Sequence, residues 1–149
     1  MTTLLSDPQF RIYAICCVML SAQMLILGGY TAARRAGNKN YLNPEDNKVS
    51  FKEARLVEGA EHPEVARIQR AHRNLLESLP MFFALGLIFV LAGANPMGGK
   101  VCFITFTAAR VLHSLVYIKK LQPFRTITYA IGSFALIGMM VMIVMAVLA

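Results

Sequence analysis

V-A-R-I-Q-R-A-H-R-N-L-L-E-S-L-P, Val65 to Pro80, sets Arg67, Arg70, Arg73, Asn74 and Glu77 directly ahead of an apolar run. At about 100° per residue these five side chains fall within roughly 120° of a helix circumference, a single polar stripe. The apolar run that follows, Leu79 to Ala92, is about 14 residues, whereas a helix needs about 20 to cross a bilayer. The charged turns therefore belong to the span. Arginines and a carboxylate at membrane level are costly unless they line a polar cavity in a bundle, which makes the stripe a candidate functional site.

The rest of the chain fits that reading. Its 149 residues are 56% hydrophobic and 15% charged, with a mean hydropathy of +0.54. That is too apolar for a soluble domain and too short for two domains, so one membrane-embedded unit over 1–149 is expected. The net charge of +7 comes from bases clustered in polar connections between apolar stretches. This indicates membrane topology and site chemistry, not nucleic acid.

Residues 12–33 carry no formal charge and make roughly 33 Å of helix. The start lacks the basic segment of a cleavable leader, so this stretch is expected to be retained as the first span. Ser21 and Gln23 read as interhelical hydrogen-bonders. Residues 36–62 form a long polar connection. Pro63 and Glu64 suit a helix start, and Pro80 should kink the helix it sits in. Gly93 to Gly99 reads as a turn. The expected spans are about 11–34, 63–92, 100–119 and 126–149, an all-α bundle of four transmembrane helices. Basic residues in the first and third connections (Arg34, Arg35, Lys39, Lys48, Lys52, Arg55, Lys119, Lys120, Arg125) outnumber Arg11 and Lys100 on the other side. That places those connections, and the site beside them, toward the cytoplasm.

Arg110, His113 and Tyr117, at i, i+3 and i+7, form a second polar stripe near the same membrane side. With Arg35 and Arg125 the two stripes can converge on one cationic pocket whose acidic member is Glu77. Such a pocket suits a ligand with carboxylates and one amine, since arginine binds carboxylates through paired hydrogen bonds. Cys16, Cys17 and Cys102 lie inside apolar spans and read as small buried hydrophobes. Nothing has metal-ligand spacing, a nucleophile motif or a phosphate loop.

R-A-H-R-N-L-L-E (Arg70 to Glu77), N-P-E-D (Asn43 to Asp46), A-R-V-L-H-S-L-V-Y (Ala109 to Tyr117) and P-F-R-T-I-T-Y (Pro123 to Tyr129) resemble the MAPEG family, the membrane-associated proteins of eicosanoid and glutathione metabolism. The resemblance runs in order from about Leu25 to Tyr129. It implies a homotrimer that binds glutathione as co-substrate at subunit interfaces, in the endoplasmic reticulum or a bacterial inner membrane. By match to the family's motif, Arg70, Arg73, Asn74 and Glu77 would hold the carboxylates and amine together with Arg35. His113, Tyr117 and Tyr129 would line the pocket, with Asp46 and Arg110 as accessory residues. Arg125 would face the sulfur, with Thr126 beside it.

The activity implied is transfer of glutathione to lipophilic electrophiles from the bilayer, with reduction of lipid hydroperoxides beside it. Alternatives are a glutathione-dependent prostaglandin E synthase-type isomerase and a non-catalytic regulatory scaffold. Two departures stand out. Ala66 occupies a position where the family often has glutamate, and Thr126 stands where the synthase-type members have serine.

Overall fold

A computed structural model describes residues 4–41, 55–56 and 61–149. A 3-10 turn at Leu4–Ser6 leads into helix α1, Pro8–Gly37. A two-residue parallel pair follows, β1 (Asn40–Tyr41) beside β2 (Arg55–Leu56). Helix α2 is Pro63–Leu91, α3 is Pro96–Ile118 and α4 is Phe124–Leu148. All four helices are long and apolar enough to cross a membrane.

Three of the starts share one device. Asp7, His62 and Asn95 each cap a helix whose first residue is proline. The side chain accepts an otherwise orphaned backbone N–H, and proline contributes no N–H at a position where none is needed. The Asn95 side-chain Oδ1 accepts from Met97 N and Gly98 N, both at 3.0 Å. Helix α2 continues through Pro80 to Leu91, although the Leu76 carbonyl loses its helical donor there.

Three helix starts differ from the sequence expectation: α1 opens at Pro8, three residues before the expected 11, and α3 and α4 also open early. The turn after α2 is shorter, because Gly98 and Gly99 are helical. They serve packing: a Cβ on Gly99 would collide with the Gln9 amide and the Phe89 ring, and one on Gly98 with the Met142 sulfur. Helix α4 opens at Phe124 and not at Thr126, which brings Arg125 into its first turn.

The largest helix contact is α3 with α4, followed by α1 with α2. Helix α3 also packs on α1 and α2. The core is aromatic. Phe82 stacks on Phe106 with ring centres 4.5 Å apart and meets Phe103 edge-on at 6.0 Å. Tyr13 of α1 lies over Gly86 of α2, where any Cβ would fall inside its ring, and its hydroxyl donates to the Phe83 carbonyl at 2.7 Å. Cys16 and Cys102 are buried and Cys17 is partly buried, all three as free thiols.

Candidate functional site

The two polar stripes meet at one hydrogen bond. Arg110, buried on α3, donates from Nη1 to Asn74 Oδ1 on α2 at 3.3 Å. A buried guanidinium needs contacts on its faces as well as its edges. Arg110 lies over the Phe106 ring at 5.1 Å and the Tyr129 ring at 5.2 Å. Gly132 on α4 makes this possible, since a Cβ there would stand 3.1 Å from Arg110 Nε. Gln23 ties the arrangement to α1: its amide nitrogen donates to the Arg110 carbonyl at 3.0 Å and to Ser114 Oγ at 2.7 Å.

One turn along α3, buried His113 reaches the start of α4. Its Nδ1 is 3.0 Å from the Arg125 carbonyl and 3.2 Å from Thr128 Oγ1. A carbonyl can only accept, so Nδ1 carries a hydrogen, and in the neutral ring Nε2 then presents a lone pair. That Nε2 is buried and has no partner among the described residues. The ring sits 5.7 Å from Tyr117 and 6.0 Å from Tyr129.

Arg125 is fixed from two directions. Its guanidinium lies 4.9 Å over the Tyr117 ring. With the Gln122 amide turned to satisfy both its ends, the amide oxygen accepts from Arg125 Nη2 at 2.7 Å and Nε at 3.1 Å. Thr126 Oγ1 is 3.4 Å from the other end of that amide and is exposed.

Asn74, Glu77, Ser78, Arg110, Tyr129 and Ser133 line the polar end of a groove of about 220 Å³ between α2 and α4. Its other end is Met81, Leu136, Ile137 and Met140. Arg70 and Arg73 lie on the same α2 stripe and are exposed. Neither they nor Glu77 has an ion pair or hydrogen bond among the described residues.

Two residues of the expected set lie apart from this cluster. Arg35 is bound by Glu61, with Nη2 at 2.7 Å and Nε at 2.8 Å from the same carboxylate oxygen. Arg67, the first member of the stripe, lines a separate cleft with Tyr30, Arg34 and Glu64. Asp46 falls outside the described residues. No group of three or more histidine, cysteine or carboxylate side chains able to hold a metal occurs among the described residues.

Residue pattern alone does not single out Gln122, Thr128 and Gly132. Each acts on a member of the stripes from another helix or from the turn before α4. The available signal is that Gln122 and Thr128 flank Arg125 at −3 and +3, one helical turn to either side.

The MAPEG family model matches residues 13–145, and the chain belongs to that family. It is therefore an integral, multi-pass membrane protein built on four helices. It is similar to prostaglandin E synthase of Homo sapiens, 30% identical over 129 residues, which are 86% of this chain and 83% of that one. The Mus musculus prostaglandin E synthase is 30% identical over 128 residues, 85% of this chain and 82% of that one. Microsomal glutathione S-transferase 1 of Homo sapiens is 30% identical over 135 residues, 89% of this chain and 86% of that one.

Proposed function

We propose that the protein is a membrane-bound glutathione transferase that activates the thiol as a thiolate and joins it to lipophilic electrophiles. The observation that carries this reading is the groove itself. Its head holds an arginine, an amide, a carboxylate and a tyrosine, and its tail is apolar. A water-soluble thiol and a lipid-soluble acceptor can each find their own chemistry within one cleft. The similarity to both a glutathione transferase and prostaglandin E synthases supports the same chemistry.

The residues fit the ligand. Arg70 and Arg73 lack carboxylate partners among the described residues, and Glu77 lacks a cation. Two carboxylates and one amine on the tripeptide supply what these three need. Asn74 offers a donor beside them, and Arg110 fixes which way the amide points. Tyr129 lines the groove on the α4 side, and His113, with Tyr117 beside it, packs behind that ring. In the proposed homotrimer Arg35, which pairs with Glu61 in its own protomer, completes the site from a second copy.

Arg125 acts on the sulfur. A thiol of pKa about 8.5 is mostly protonated at pH 7. Lowering that value by about two units needs roughly 2.7 kcal/mol of preference for the anion. A guanidinium held in place by Tyr117 and Gln122, in the first turn of α4, supplies most of it. The helix N-terminus adds about 0.3 to 1 kcal/mol. The proton leaves to solvent, the thiolate attacks the electrophilic carbon, a C–S bond forms and the leaving group departs with its electron pair. Thr126 can donate a hydrogen bond at the mouth. With a lipid hydroperoxide as acceptor, the same thiolate attacks the terminal oxygen, the O–O bond breaks and the lipid leaves as its alcohol after taking a proton from water; a second glutathione then displaces water from the sulfenic acid to give the disulfide.

The test is titration of the purified protein with glutathione, read by thiolate ultraviolet absorbance, followed by conjugation to 1-chloro-2,4-dinitrobenzene. Thiolate formation with conjugation is the expected result. Thiolate formation with conversion of a prostaglandin endoperoxide but no conjugation would replace transfer by isomerisation, the reading favoured by the synthase relatives. Absence of glutathione binding would sink both.

A further inference from the structure

We propose that the cleft between the ends of α1, α2 and α3 is a second anion site that takes a phosphate group. The cleft has a volume of about 200 Å³ and is lined by Tyr30, Arg34, Glu64, Arg67 and Lys120 between the side chains of Ile68 and Ile118. It shares no lining residue with the groove between α2 and α4.

Three cations from three different segments and one carboxylate line it. Arg34 is oriented by the Tyr30 hydroxyl, which lies 2.9 Å from Nη2 and 3.1 Å from Nε, and by the Tyr30 ring at 5.2 Å. Its approach to Glu64 is loose, at 3.8 Å. Arg67 has a buried Nε with no hydrogen-bond partner among the described residues. An N–H of a charged group buried in this way is costly unless a ligand meets it.

Lys120 supplies the independent observation. It is the residue just past the end of α3, with Lys120 N bonded to the Tyr117 carbonyl and Leu121 N to the Val116 carbonyl. That pattern closes a helix with one left-handed residue, a position that glycine fills at no steric cost. Here it is a lysine at φ +64°. That lysine lines the same cleft as Arg34 and Arg67, so a third cation from a third segment borders the space.

The cations approach from separate directions, which favours a tetrahedral phosphate over a planar carboxylate. The ligand is either the headgroup of an anionic lipid or a soluble phosphate ester. Ile68 and Ile118 offer apolar contact to a lipid's glycerol end, and the cleft lies where α1 passes from its uncharged stretch to Arg34.

The experiment is isothermal titration of the full-length protein in detergent with dioctanoyl phosphatidic acid, glycerol 3-phosphate and dioctanoylglycerol. Phosphatidic acid should bind the wild type and Lys100→Gln equally, Lys100 lying at the opposite end of α3. Arg67→Gln and Lys120→Gly should each weaken it about tenfold or more, the worth of one charge-assisted hydrogen bond. Lys120→Gly should also keep or raise the thermal midpoint, because glycine relieves the backbone, so lost binding there cannot be lost folding. If Arg67→Gln fails to fold, Lys120→Gly decides alone. Binding of glycerol 3-phosphate as tight as that of phosphatidic acid supports the site and assigns it to soluble esters. Binding of phosphatidic acid alone supports it and assigns it to lipid. Dioctanoylglycerol binding as well as phosphatidic acid, or both variants binding like wild type, would overturn the proposal.

Discussion

Arg125 and Arg73 differ in what holds them. Arg125 is clamped between a ring and an amide, whereas Arg73 is exposed and unpaired among the described residues. In the proposed reaction the first acts on charge at sulfur and the second on a carboxylate remote from the reaction. Arg125→Ala should lower conjugation at pH 7 by about twentyfold or more, since the thiolate fraction falls by that factor when the thiol returns to about 8.5. Its rate should then rise with pH through about 8.5, while the wild type should already be level there. Arg73→Ala should raise the KM for glutathione about tenfold with little change in kcat, as expected when binding common to ground and transition states is lost. A flat pH profile in Arg125→Ala would remove it from this role. Gly132→Ala is a gentler probe: the added Cβ would stand 3.1 to 3.3 Å from Arg110. The guanidinium must shift by a few tenths of an ångström, loosening its bond to Asn74, and glutathione affinity should fall with the fold retained.

At the scale of elements, the caps and the close approaches carry separable amounts of stability. Asn95→Ala removes two hydrogen bonds at the start of α3 and should cost about 1 kcal/mol, seen as a lower thermal midpoint in detergent. Gly86→Ala is more disruptive. The new methyl would occupy the Tyr13 ring, and overpacking of this kind costs about 1 to 3 kcal/mol. Pro63 and Glu64 advertise the start of α2 because proline and an acid are favoured there for local reasons. Gly98 and Gly99 do not advertise their role, since a glycine that admits a neighbouring helix looks the same in sequence as a glycine that makes a turn. Phe124 likewise opens α4 without any side-chain cap, so nothing in its chemistry marks the boundary. The stripe from Arg70 to Glu77 is legible because helical spacing alone puts its members together. The contacts of Thr128 with His113 and of Gly132 with Arg110 are not, since they depend on how α3 meets α4.

For the whole molecule, the exposed side of α2 continues from Arg70, Arg73 and Glu77 down to Met81, Leu87, Ile88 and Leu91. A polar head above an apolar face is what an interface between copies would bury in the proposed trimer. Light scattering in detergent should give three chains per particle. Co-expressed Arg35→Ala and Arg125→Ala chains, each strongly impaired alone at pH 7, should recover wild-type activity at about a quarter of the sites, as random mixing predicts when the two residues come from different copies. No recovery would place both in one subunit and leave Arg35 to its pair with Glu61.

Gln23 and Asn74 give α3 a part in biogenesis. As the chain enters the membrane, α1 and α2 can already pair through Tyr13, Gly86 and the Phe83 carbonyl. At that stage Gln23 and Asn74, away from the helix ends, still lack the partners α3 gives them, a costly exposure in hydrocarbon. Both amides find their interhelical partners on α3, in the Arg110 carbonyl, the Ser114 hydroxyl and the Arg110 guanidinium. The third helix is thus the latch of the nascent subunit. A polypeptide that stalls before it is left with two unanswered amides, one of them lining the groove between α2 and α4.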